Sequence, residues 1–270
     1  MNKMILKKIL NKLSYTLRSI QFSYYKRKRK KYIAAINIRD IKKQIVTLNS
    51  EYDYFFHFFW NLSPDWLKNH RKYFSLEQRA FGEDAFHAMW HLLFKEYKPE
   101  KVLEIGVYRG STLSLFALLA QKHNLNTEVH GISPFSPAGD SVSTYLTELD
   151  YYEDVKRNFS FFNLTPPILH KGFSNDPEML KIIKSQAWDL IFIDGNHDYE
   201  IVKQDFIVCS QNIKSGGLIV LDDAALGTGY RSSFYSTSGH LGPSKIASEI
   251  KKDSFREILS VGHNRVFEKI

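Results

Sequence analysis

Beyond Pro99 the chain alternates short apolar runs with amphipathic stretches. KVLEIG, EVHGI, PILHKG, WDLIFID and GLIVLDD read as five buried strands, separated by the helical segments STLSLFALLAQKH, YYEDVKRNF, DPEMLKIIKS and YEIVKQDFIVCSQNI. Alternation of this kind predicts an α/β fold, a doubly wound parallel sheet covered by helices on both faces. KIASEIKK then reads as a helix, and FREILSV and NRVFEKI as a terminal strand pair around Gly262-His263.

The region before this body has a different pattern. Residues 51–100 are an aromatic helical lead-in, with the dense run EYDYFFHFFWNL and a turn at Ser63-Pro64-Asp65. In AFHAMWHLLFKEY, Phe86, Met89, Trp90, Leu93 and Phe94 make one apolar face, and His57, His87 and His91 read as surface or packing histidines rather than metal ligands. Residues 1–50 form a basic extension. Met4, Ile5, Ile9, Leu13, Leu17 and Ile20 recur at helical spacing among lysines, and six consecutive cations run from Lys26 to Lys31.

Composition changes this picture in two places. The net charge is +8, but residues 1–45 hold fourteen of the 37 Lys and Arg against one acid, Asp40, giving +13. The other 225 residues carry −5, which counts against a whole-protein nucleic-acid binder, whose basic surface should lie on the folded domain. The extension therefore has two readings: peripheral attachment of residues 1–31 to an anionic membrane surface, or a helix that docks on a partner subunit. The single cysteine, Cys209, excludes a disulfide framework and a Cys-rich zinc site, and points to a reducing, cytoplasmic setting, at the inner membrane face if the extension attaches there. No apolar run is long enough to span a bilayer.

The chemistry gathers where strands end. In VLEIGVYRGST, a strand carrying Glu104 turns through Gly106 and Gly110 and enters a helix at Ser111. The glycines allow a tight turn and close ligand approach, and the helix start offers free N–H groups. The spacing G-x-x-x-G is not that of a dinucleotide site, and Glu104 suits a cationic or hydroxyl-rich ligand. WDLIFIDGNHDYE places Asp194 at a strand end with His197 just beyond, and GGLIVLDDA closes on Asp222 and Asp223. Three carboxylates after neighbouring strands favour Mg²⁺ or a similar hard ion, with His197 as general base.

These motifs, with the GG turn before LIVLDD and the closing GHNRVFEK, resemble the class I S-adenosylmethionine-dependent O-methyltransferases. The narrower likeness is to the macrocin-type sugar O-methyltransferases and cephalosporin-hydroxylase-like proteins, and it covers Val102 to Ile270. The resemblance implies a Rossmann-like sheet and a cofactor set of Glu104, Gly106, Gly110, Ser111, Ser133, Ser174 and Asp194. It implies Mg²⁺ on Asp194, Asp222 and Asp223, His197 as base, a sugar or glycan acceptor, and a homo-oligomer. One departure stands out: Ser133 occupies the strand end where the family usually carries a ribose-binding acid, and Asp140 in the next loop is a candidate substitute. Tyr230, Arg231 and His240 lie in a glycine- and serine-rich loop, 227–243, that reads as a lid shaping the acceptor pocket.

Two other classes compete. GNHD, at residues 195–198, spells a metallophosphoesterase signature, but no histidine follows an aspartate by two positions, so the second metal site is missing. A non-catalytic membrane-surface or assembly protein retaining the fold accounts for the basic helix and Ser133, but not for the cluster of Asp194, His197, Asp222 and Asp223.

Overall fold

The computed structural model describes residues 41–42, 48–140, 142–143, 145–232 and 236–270. The basic helix and its cation run therefore lie outside the described residues. Three helices come first: α1 (Leu48–Asn61), α2 (Asp65–Phe74) and α3 (Asp84–Tyr97). The body follows as β1 (Lys101–Ile105), α4 (Ser111–His123), β2 (Glu128–Ser133), α5 (Tyr151–Phe161), β3 (Ile168–Lys171), α6 (Pro177–Lys184), β4 (Trp188–Ile193), α7 (Tyr199–Asn212) and β5 (Ile213–Leu221). It closes with α8 (Leu241–Glu249) and the hairpin β6 (Phe255–Val261) and β7 (Asn264–Lys269). Each strand and helix expected from the alternating pattern is present.

The seven strands run in the order β3-β2-β1-β4-β5-β7-β6. The first five are parallel, and β7 pairs antiparallel with both β5 and β6. This is the doubly wound arrangement, and its order reverses between β1 and β4, where such sheets open a ligand crevice.

Residue alternation divides the interior into two layers. Val102, Leu190, Phe192, Leu218 and Val220 face the layer holding α3, α4 and α5. Leu103, Ile105, Ile191, Ile193, Ile219 and Leu221 face α6, α7 and α8. The aromatic lead-in shares the first of these cores: Tyr52, Phe55, Phe59, Trp90 and Phe94 are continuous with it. Glu51 fastens α1 to the sheet by accepting the Ser260 N–H at 2.7 Å. Strand alternation also fixes Glu104 on the α4 side, where it is 3% exposed.

Among the described residues, no helix is long and apolar enough to cross a membrane.

Candidate active site

A cavity of about 730 Å³ opens at the carboxyl ends of β1, β2, β4 and β5. Glu104, Gly106, Ser111, Ser133, Ser174, Asp194, His197, Asp222 and Asp223 all line it. Gly110 does not. It caps α4 at φ 76° and packs on Val155, so its role is to turn the chain rather than to touch a ligand.

The crevice between β1 and β4 is set by one close approach. Gly106 has φ 97°, and a β-carbon there would stand 2.0 Å from the Asp194 carbonyl oxygen. Only glycine fits that position. The turn leaves the N-terminus of α4, with Ser111 and Thr112, facing the cavity. Glu104 lies beneath it with Oε2 buried and unpartnered in the protein. Burial, helped by the negative charge of Asp222, holds its carboxyl well above the usual carboxylate range. A cationic ligand group beside it would favour its charged form.

Ser133 is committed elsewhere than the sequence suggests. Its hydroxyl donates to the Val107 carbonyl at 3.0 Å, bracing the glycine turn instead of presenting a free group to a ribose. Asp140 does not replace the missing acid either. It accepts the His197 backbone N–H at 2.9 Å and the His197 Nδ1–H, as well as the N–H groups of Val142 and Ser143 at 3.0 and 2.8 Å. Burial raises the Asp140 carboxyl, but the bonds from Ser143 and His197 outweigh it and bring it down to about 2. Ser174 lines the cavity while its hydroxyl bonds Asp205.

The carboxylates do not converge as one trio. Asp194 and Asp222 share a hydrogen bond; burial and the charges of Asp222 and Asp223 raise the Asp194 carboxyl strongly, so Asp194 carries the proton and donates. Asp222 stays ionised because the His263 charge overcomes the cost of its burial. Asp223 sits at φ 50°, a left-handed conformation that costs a non-glycine residue. Among the described residues, the ligand atoms that gather within 4.8 Å form two other groups: Asp222, Asp223 and His263, and His197, Asp223 and His240. The three acids expected to hold Mg²⁺, Asp194, Asp222 and Asp223, are not among these groups, and imidazoles stand beside Asp222 and Asp223 instead.

His197 lies between two acids, with Nε2 3.0 Å from Asp223 Oδ2. Burial alone would lower its pKa, but bonds to Asp223 and Asp140 raise it to about 8. His263 was not singled out from the sequence. It sits in the β6–β7 turn, far along the chain from Asp222 and Asp223, so no local spacing reveals it. Its Nε2 is 3.3 Å from Asp222 Oδ1 and 3.8 Å from Asp223 Oδ1. Burial opposes its charge, yet Asp222 and Asp223 raise it to about 10.

Within the expected lid, residues 236–240 are tied down at four points. Ser236 donates to Glu83, Thr237 O accepts from His263 Nδ1 at 3.0 Å, His240 N donates to Asp223 O at 2.8 Å, and Gly239 bridges Ala224. His240 lines the cavity, whereas Tyr230 and Arg231 do not; Tyr230 packs on Tyr52 at 5.8 Å. His87 is more than a packing residue. It lines the cavity and meets His70 at 3.1 Å, and His70 in turn meets Ser114 at 3.0 Å.

Known proteins share this fold. Residues 103–224 match the family model described as a methyltransferase domain. The seven-stranded sheet is that of Rossmann-like methyltransferases. The SAH-bound Podospora anserina methyltransferase PaMTH1 aligns with a TM-score of 0.54 at 16% identity, covering 77% of this chain and 89% of its own. The Bacillus cereus O-methyltransferase in complex with SAH aligns at 0.52 with 14% identity, covering 78% and 92%. TomG of Streptomyces achromogenes, an O-methyltransferase of tomaymycin synthesis in complex with SAM, aligns at 0.51 with 12% identity, covering 84% and 99%. In sequence, the uncharacterized protein R132 of Acanthamoeba polyphaga mimivirus is 30% identical over 157 residues. That match covers 55% of this chain and 64% of the viral protein. A second relative, the uncharacterized y4gI of Sinorhizobium fredii, is 26% identical over 131 residues, 48% of this chain and 13% of its own length.

Proposed function

We propose that the protein is an S-adenosylmethionine-dependent O-methyltransferase whose acceptor is a sugar hydroxyl. The observation that carries this reading is the buried, unpartnered Glu104 oxygen beneath the Gly106 turn at the β1/β4 crevice. An α-amino group answers the acid, and the free N–H groups at the start of α4 answer an α-carboxylate. The residues fit the methionine end of that cofactor. S-adenosylmethionine, when bound, supplies a methyl carbon activated by a sulfonium.

The chain's own groups do the rest. Once Nε2 has lost the proton it shares with Asp223, above the pKa of about 8, His197, oriented through Nδ1 by Asp140, accepts the acceptor's hydroxyl proton there. Loss of that proton leaves the acceptor oxygen nucleophilic toward the methyl group that S-adenosylmethionine would supply. The cavity walls would hold the acceptor oxygen against the methyl donor. Glu83, Ser236, Thr237 and His240 line the cavity and supply hydrogen-bonding groups suited to a polyol. A phenolic acceptor is the second reading, favoured by the apolar rim of Phe81, Val142 and Phe173, which are 69%, 51% and 47% exposed. The basic extension would place either acceptor at an anionic membrane surface.

Calorimetric titration of the full chain with S-adenosylmethionine tests the cofactor, with micromolar binding expected and no binding refuting the reading. Label transfer from the methyl-labelled cofactor to a panel of sugars and catechols then decides between the acceptors.

A further inference from the structure

The mouth of the cavity is ringed by apolar side chains that the fold leaves in water. Phe81 between α2 and α3, Val142 between β2 and α5, and Phe173 between β3 and α6 all line it and are 69%, 51% and 47% exposed. Leu241, the first residue of α8, is 81% exposed and follows the cavity residue His240. The start of α8 packs on the His197 loop, because a β-carbon at Gly242 would strike the His197 carbonyl oxygen. Four separate segments thus each present one exposed apolar residue at the same end of the sheet. Packing of the core accounts for none of them, and a patch of this kind marks a contact surface.

The N-terminal chain meets the body at this same end. β7 runs antiparallel to β5 with Arg265 opposite Leu221, so the β6–β7 turn lies level with the carboxyl ends of the parallel strands. Lys42, near the start of the described chain, pairs with Glu51 at 3.3 Å, and Glu51 holds the Ser260 N–H just before that turn. Tyr52 donates to Glu83, which lines the cavity. Residues 1–45 carry +13 with an amphipathic spacing, whereas the rest of the chain carries −5. The body has no attraction of its own for an anionic surface, and the extension supplies one beside the apolar ring. Apolar insertion next to a polybasic run is the combination that holds proteins on acidic lipid. A second copy seated mouth to mouth would bring two +13 extensions together, which disfavours that occupant.

We propose that the cavity mouth is a membrane-docking face: Phe81, Val142, Phe173 and Leu241 enter an anionic bilayer, held there by the cations of residues 1–31, and the cavity opens onto the lipid headgroups. A lipid-borne hydroxyl then reaches the cavity without leaving the bilayer. That consequence rests on the methyltransferase reading, whereas docking itself does not.

Nitroxide labelling of the full chain tests this, because Cys209 is fully buried and an introduced cysteine is labelled alone. Leu241→Cys puts the probe on the proposed face. Ile270→Cys is the control, since Ile270 is 65% exposed just beyond β7, at the opposite end of the sheet. On vesicles of phosphatidylglycerol and phosphatidylcholine, the label at 241 is expected to gain access to oxygen and lose access to an aqueous nickel complex, while the label at 270 is unchanged. Replacing the six cations of residues 26–31 with glutamine is expected to weaken vesicle binding by about tenfold or more, since each contributes about fivefold near an anionic surface. Leu241→Ser is expected to weaken it by about tenfold, the effect of losing one inserted leucine side chain. No vesicle binding, or binding that leaves the label at 241 in water, overturns the proposal. So does a label at 241 that becomes immobilised without lipid as protein concentration rises, which assigns the face to a second copy. S-adenosylmethionine titrated in parallel separates the two readings: cofactor binding with the label at 241 in water refutes the docking face alone, and the reverse refutes the methyltransferase reading alone.

Discussion

Gly106 approaches Asp194 so closely that the two residues set the width of the crevice where β1 and β4 part. The contact is backbone to backbone, since Asp194 N also donates to Ile105 O at 2.8 Å. Neither partner can yield without shifting a central strand. Gly106→Ala is therefore expected to combine a steric clash with a strained φ and to cost roughly 1–3 kcal/mol. A lowered melting temperature together with lost S-adenosylmethionine binding is the expected result. A variant that binds normally would show that the turn does not meet the cofactor.

Ser133 is where the resemblance to known methyltransferases breaks, and its hydroxyl braces the Val107 carbonyl. Restoring the family's acid by Ser133→Asp is expected to weaken the protein, because an ionised carboxylate cannot donate to that carbonyl. Loss of the bond and the orphaned acceptor cost about 1–3 kcal/mol. Chemical denaturation measures this directly. A Ser133→Asp variant that is as stable as wild type and binds S-adenosylmethionine more tightly would contradict it.

Asp140 touches His197 twice, at its backbone N–H and at Nδ1. Asp140→Ala is expected to lower kcat by about a hundredfold, in the range of a misplaced general base, while cofactor affinity holds. Steady-state kinetics with the acceptor found by the label-transfer panel, alongside calorimetry, separates these effects. A drop in cofactor affinity without a drop in kcat would assign Asp140 to the cofactor instead.

His70 gives a pH signature in stability. It is fully buried, and burial, with the charge of Arg71 added, lowers its pKa to about 3 from 6.5. Ser114 donates to the Ser111 carbonyl, so it accepts from His70 Nε2 and leaves Nδ1 to accept from His87. The neutral ring satisfies this chain and the imidazolium breaks it. The unfolded chain binds the extra proton, so the stability due to His70 is complete above pH 6.5 and lost as pH falls toward 3. The loss amounts to about 4 kcal/mol across that window. Urea denaturation at stepped pH is expected to show this slope in the wild type and a flatter one in His70→Gln. Equal slopes would mean that His70 is not the group responsible.

Much of this was legible from residue order alone. Strand alternation and the spacing of apolar residues in helices are local properties, and they predicted every element of the body and placed Glu104, Asp194, Asp222 and Asp223 at strand ends. The glycine turn was equally plain, since only glycine tolerates the φ of Gly106. What the sequence could not carry was the direction in which those strand ends point. The β6–β7 turn returns from the far end of the chain to set His263 beside both Asp222 and Asp223. Asp140 likewise reaches His197 across 57 positions. Sequence periodicity fixes which residues are buried and on which face. Which buried charges meet depends on loop geometry and sheet order, and those exist only once the chain has folded.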